Sequence, residues 1–231
     1  MSNELLWIVF LLLDLGCTIL IFKYFRKEGL FAVIVANIIL CNIQVPKIVE
    51  LFGFTVTLGN ILYGSIFLAT DLLSEFYGKK EARRGVVLGF VFLVFMTVVM
   101  QIALMFQPAA DGIEVHNALV SIFSLLPKIA LGSLCAYILS QMHDVWLYHL
   151  LKERTSGRYL WIRNNVSTAL SQLIDSVVFC TIAFWGLDRS LLVEIIFTTY
   201  VMKFIVSVVD TPFIYLARRI EKGITAGNET V

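Results

Sequence analysis

Charged side chains are scarce in this chain. Asp, Glu, Lys and Arg make up 15% of its 231 residues, against 59% hydrophobic. Soluble domains carry roughly a quarter charged residues, so this balance, with a mean hydropathy of +0.86, excludes an ordinary soluble domain and points to a polytopic membrane protein. Cysteine is sparse as well: Cys17, Cys41, Cys135 and Cys180 stand singly inside apolar segments. Without C-x-x-C spacing they read as small buried hydrophobes, not as metal or redox ligands. There is no G-x-x-x-x-G-K-[ST] run for P-loop hydrolysis, no H-E-x-x-H and no G-x-S-x-G. With no His/Cys/Asp cluster at metal-ligand spacing either, no enzyme activity, metal or cofactor is expected, and no nucleic acid partner. Low-complexity tracts and long linkers are missing too, which leaves one integral domain. Residues 1–4 lack a basic n-region and a small-residue cleavage site, so the first apolar run reads as a retained helix.

What is present is a series of apolar runs. Seven are long enough to cross a bilayer, at about 20 residues per span: residues 5–22, 30–51, 58–77, 86–106, 129–150, 166–186 and 191–216. Val115 to Leu126 is also apolar but stops at Pro127, and it reads as an interfacial or re-entrant segment. The expected fold is therefore all-α, a polytopic transmembrane helical bundle. Lys and Arg report its orientation, because short cytoplasmic loops are enriched in them. Alternate connections carry Lys23, Arg26 and Lys27; Lys79, Lys80, Arg83 and Arg84; Lys152, Arg154, Arg158 and Arg163; then Arg218, Arg219 and Lys222, which is 14 of the 18 basic residues. The opposite set holds Arg189 alone. The expectation is a protein of the cell (inner) membrane with its N-terminus outside and its C-terminus cytoplasmic.

Polar residues inside the runs are the candidates for function. The second run carries Asn37, Asn42, Gln44 and Lys47; the fifth and sixth each carry Q-x-x-D, Gln141 with Asp144 and Gln172 with Asp175; the seventh holds Lys203 and Asp210. At i, i+3 an amide and a carboxylate share one helix face. Asp71 and Glu75, four apart at the end of the third run, do so as well. At ~1.5 Å per residue, Asp175 and Lys203 lie at similar depth near the midplane, where they could pair. A charge at the bilayer centre costs roughly 2.5 to 3.5 kcal/mol, while interhelical hydrogen bonds contribute only about 0.6 kcal/mol each. Structural glue barely offsets that cost, so the candidate solute-binding set is Asn42, Gln44, Asp71, Gln141, Asp144, Gln172, Asp175 and Lys203. Glu75 is read as neutralising the adjacent basic turn, and Asp210, beside Pro212, as structural. Small residues at helical spacing, such as Gly132, Ala136 and Ser140, allow close packing within the bundle or against a second copy in a homodimer.

The segment Thr70-Asp71-Leu72-Leu73-Ser74-Glu75-Phe76-Tyr77-Gly78-Lys79-Lys80-Glu81-Ala82-Arg83-Arg84 resembles the signature of the queuosine precursor transporter family, also called the vitamin uptake transporter family. Residues 141–145, 161–168, 171–176, 182–186 and 210–215 extend the resemblance in order over roughly residues 30 to 220. It implies six core helices over 30–220, preceded by an extra N-terminal transmembrane helix over 1–29 and followed by a cytoplasmic tail over 221–231. It also implies import of 7-deazaguanines, the cyano and aminomethyl compounds preQ0 and preQ1, through a polar intramembrane pocket. Such a base offers adjacent N–H donors that one carboxylate accepts, and a carbonyl that Gln, Asn or Lys can donate to. A substrate-capture subunit of a modular uptake system and a channel are the open alternatives.

Overall fold

A computed structural model describes residues 2–154 and 160–228. The protein is an all-α helical bundle built from α1 (Asn3–Gln44), α2 (Tyr63–Tyr77), α3 (Lys79–Leu104), α4 (Ile113–Phe123), α5 (Leu126–Arg154), α6 (Leu160–Ala183), α7 (Arg189–Val209) and α8 (Thr211–Asn228). By length and composition, Asn3–Gln44, Lys79–Leu104, Ala110–Ser140 and Arg189–Glu221 can cross a membrane.

A straight helix of 42 residues would be about 63 Å long, twice the hydrocarbon thickness of a bilayer. The chain solves this at Arg26, whose φ of 54° and ψ of −133° break α1 into two arms, residues 3–25 and 27–44. An arginine in the left-handed region is strained by roughly 1 to 3 kcal/mol and persists only where its surroundings hold it. Here the guanidinium pairs with Glu221 of α8 and lies over the Phe22 ring, while Lys27 reaches Glu81 of α3 at 3.5 Å. The first two apolar runs are thus one bent helix, each arm about the length of a span.

The second run was expected to continue to Leu51, but helix α1 ends at Gln44 and Pro46 follows. Ile48–Leu51 and Phe54–Thr57 form an antiparallel pair, β1 and β2, with Leu51 opposite Phe54. Two residues of positive φ, Phe52 at 53° and Gly53 at 79°, make the turn, the geometry that matches strand twist in tight hairpins. The β-branched residues Ile48, Val49, Thr55, Val56 and Thr57 supply the rest of the reason. The last run, expected unbroken over 191–216, divides at Asp210. There Pro212 enters the first turn of α8 without needing an N–H partner, and the backbone N–H groups of Phe213 and Ile214 donate to the Asp210 carbonyl. Beyond residue 220, where a tail was expected, α8 continues to Asn228. The segment expected to be interfacial is α4, a helix of 11 residues with no buried residue.

Two compact units divide the chain: residues 1–126 with 201–231, and residues 127–200. In the first unit, α1 packs on α2 and α3, and Leu11, Leu15, Phe22, Leu30, Ile34, Leu68, Leu72 and Leu73 form the core. Gly64 allows a close approach, since a Cβ there would meet Val206 at 2.8 Å and Leu11 at 3.2 Å. In the second unit, Gly132 of α5 lies against the Phe179 carbonyl and the Ala183 N–H of α6, the small-residue contact that its spacing predicts.

Candidate functional site

The first unit carries a run of polar groups through an apolar interior. At its centre is Asp14, eleven residues beyond the start of α1 at Asn3. Its Oδ1 accepts from Asn37 Nδ2 at 3.1 Å and its Oδ2 from Ser65 Oγ at 2.5 Å. Asn37 and Ser65 are buried and belong to the second arm and to α2, so one carboxylate ties three helical segments together.

Further along the second arm, Asn42 is buried and donates to the Ile38 carbonyl at 2.7 Å and to Cys41 Sγ at 3.4 Å. Lys203, on the part of α7 that belongs to this unit, is only 1% exposed. Its ammonium sits 4.1 Å from the centroid of the Tyr63 ring, close enough for a desolvated cation–π contact, and its charge is felt at Cys41. Asn60 donates to Thr57 Oγ1 at 3.0 Å just before α2 begins. Gln44 is half-buried, and its Oε1 has no hydrogen-bond donor among the described residues. A buried acceptor left without a donor costs free energy that a bound N–H would recover.

Asp71 stands elsewhere. It is exposed on α2, within electrostatic range of the buried Asp210 carboxylate. Glu75, one turn on, does not neutralise the adjacent basic turn as expected: it accepts from Arg218 of α8 at 2.9 Å. The basic turn's acidic partner is Glu81, which meets Arg84 at 3.9 Å as well as Lys27. Asp210 is hydrogen-bonded to the Thr211 side chain where α7 gives way to α8.

In the second unit, Gln172 and Asp175 are half-buried on α6, the Gln172 carbonyl accepting from Ser176 Oγ at 2.9 Å. His143 Nδ1 lies 3.5 Å from Ser171 Oγ. Gln141 and Asp144 fall on α5, three residues apart, with side chains outside the described set. Of the eight candidates, then, Asn42, Gln44, Asp71 and Lys203 belong to the first unit and Gln141, Asp144, Gln172 and Asp175 to the second. The Asp175–Lys203 pair expected from depth would join the two units. Within its own unit, Lys203 lies against Tyr63.

Sequence reasoning passed over Asp14, Ser65 and Tyr63. The signal for Asp14 was present: it is the one charged residue between Leu5 and Phe22, and an intramembrane carboxylate is a functional candidate by default. Ser65 and Tyr63 gave none, since hydroxyls in membrane helices usually bond their own backbone.

Among known proteins, the family described as "Putative vitamin uptake transporter" matches residues 57–217. A "Probable queuosine precursor transporter" of Bacillus subtilis (strain 168) is 45% identical over 221 residues, covering 95% of this chain and 96% of that protein. The "Queuosine precursor transporter" of Escherichia coli (strain K12) is 29% identical over 171 residues, 72% of this chain and 73% of that protein. No solved structure matches.

Proposed function

The chain belongs to the vitamin uptake transporter family, a family of membrane transporters and not of enzymes, and on that premise we propose that it imports the queuosine precursors preQ0 and preQ1. The observation that carries this reading is the polar interior of the first unit: Asn42 and Lys203 buried among apolar helices, with Gln44 Oε1 lacking a donor among the described residues. Such a set is expensive to keep in a bilayer for packing alone. It suits a small, nearly neutral solute rich in donors and acceptors.

In this reading the 7-deazaguanine places its carbonyl toward an amide or ammonium donor, Asn42 or Lys203, and an N–H toward Gln44. Asp71, Asp144 and Asp175 accept the adjacent N–H pair at successive stages of passage, with Gln141 and Gln172 as amide partners. The charge asymmetry of the loops supports an N-terminus outside and a C-terminus in the cytoplasm.

Binding of preQ0 measured by calorimetry on the purified protein tests the assignment. Asp→Asn turns an acceptor into a donor facing a donor, at about 1 to 3 kcal/mol, so affinity should fall roughly ten- to a hundredfold in one or more of Asp71→Asn, Asp144→Asn and Asp175→Asn. Adenine should compete poorly against the wild-type protein. Wild-type affinity in all three variants would show these aspartates to be structural.

A further inference from the structure

At the end of the first unit remote from the Arg26 bend, a cavity of about 280 Å³ opens between the first turns of α1 and the β1–β2 hairpin. The hairpin is tied over it from both sides. Asn3 Nδ2 donates to the Glu50 carbonyl at 3.1 Å, Glu4 Oε1 accepts from the Phe52 N–H at 3.3 Å, and the Leu58 N–H closes the loop on the Lys47 carbonyl at 2.9 Å. The floor and walls include Trp7, Phe10, Leu51 and Ile61, and the polar groups at the rim are Asn3 and Lys47. Trp7 is 7% exposed, so its indole belongs to the wall and not to the lipid-facing surface. Lys47 is exposed and forms no ion pair among the described residues. With Asn3 Nδ2 engaged by Glu50, its Oδ1 remains as an acceptor.

A mostly apolar cavity with a few convergent polar groups is the usual form of a small-molecule site. Two aromatic walls fit a flat ring system, which stacks on them without regard to sequence or sugar. One ammonium donor and one amide acceptor fit a keto oxygen and a ring N–H. A polyphosphate is poorly matched by a single cation, and an acyl chain would leave both polar groups unused. We propose that this cavity is the outer capture site, which takes a flat bicyclic heteroaromatic bearing a keto group before the solute enters the bundle. This rests on the transport reading above and adds to it a place of first contact, on residues 3–10 and 47–61, of whose lining only Leu58 and Ile61 fall within the matched family segment.

The first arm of the test uses the unaltered protein. Whole cells expressing the chain are treated with a membrane-impermeant acylating reagent, and modification of Lys47 is read by mass spectrometry with and without preQ0. Lys47 should be modified in the absence of preQ0 and protected in its presence, with half-protection near the KM for uptake. Adenine, lacking the keto oxygen, should not protect. In Lys47→Met, KM for uptake should rise about five- to tenfold with Vmax unchanged, the loss of one exposed charge-assisted hydrogen bond. Phe10→Leu should raise KM in the same way. If cells take up preQ0 while Lys47 is modified equally with and without it, the capture site is overturned and the transport reading stands. Protection by adenine, or a fall in Vmax at constant KM in Lys47→Met, overturns it as well. If the wild-type chain takes up neither precursor, both readings fall together.

Discussion

Asp14 and Asp71 are both aspartates set in apolar helices of the same compact unit, and they are held in opposite ways. Asp14 is enclosed by donors from two other helical segments, Asn37 and Ser65. Asp71 is exposed, and its electrostatic neighbour is another carboxylate, Asp210. The difference teaches that a conspicuous sequence neighbourhood and structural engagement are separate properties. Asp71 stands in the most recognisable motif of the chain and carries little of the fold. Asp14, alone in a featureless run, holds three helical segments in register. A carboxylate that contributes little to folding is free to be used for something else.

The contrast is most easily broken at Asp14. Asp14→Ala removes one acceptor and leaves the Asn37 and Ser65 donors buried and unsatisfied, at about 1 to 3 kcal/mol for each. The thermal unfolding midpoint in detergent should drop sharply, and Asp14→Ala combined with Ser65→Ala should lose less than the two single losses added. Strict additivity would mean that the network does not act as one. A smaller effect belongs to the ion pair one turn beyond Asp71. Glu75 and Arg218 are both about half exposed, so Glu75→Gln should cost roughly 0.2 to 1 kcal/mol, most of it abolished by high salt. The smallest change is expected at Asp71 itself. Asp71→Asn should leave the unfolding midpoint within about 0.5 kcal/mol of wild type, even where it weakens preQ0 binding. A loss as large as that of Asp14→Ala would erase the distinction between the two residues.

Much of the fold was legible because apolar run length is a direct physical requirement of the bilayer. Each of the seven runs contains helix at its centre. The boundaries that failed did so where local chemistry overrode hydropathy. Residues 48–51 are as apolar as the helix before them, yet Pro46 and the Phe52-Gly53 turn convert them to a strand. Asp210 and Pro212 likewise cut a continuous apolar run in two. In the candidate site, burial of Asn42 and Lys203 followed from polarity inside a span. The Asp14 network was not legible in the same way, because its partners come from 23 and 51 residues away and no spacing in the sequence links them to it. Glu75 was assigned to the wrong cations for a similar reason: sequence proximity favoured the next turn, whereas the true partner lies 143 residues on.

The bend at Arg26 also imposes an order on the birth of the molecule. Its counter-charge, Glu221, is 195 residues downstream. At about 5 to 20 residues per second of synthesis, the ribosome needs roughly 10 to 40 seconds to supply it. Throughout that interval the two arms of α1 can already meet α2 and α3, contacts that are close in sequence and quick to form. The left-handed arginine between them, however, has the Phe22 ring to lie on but no Glu221 carboxylate to pair with. Pairing with Glu221 is therefore a late event: a chain that lacks α8 keeps the strained bend without the carboxylate that holds it.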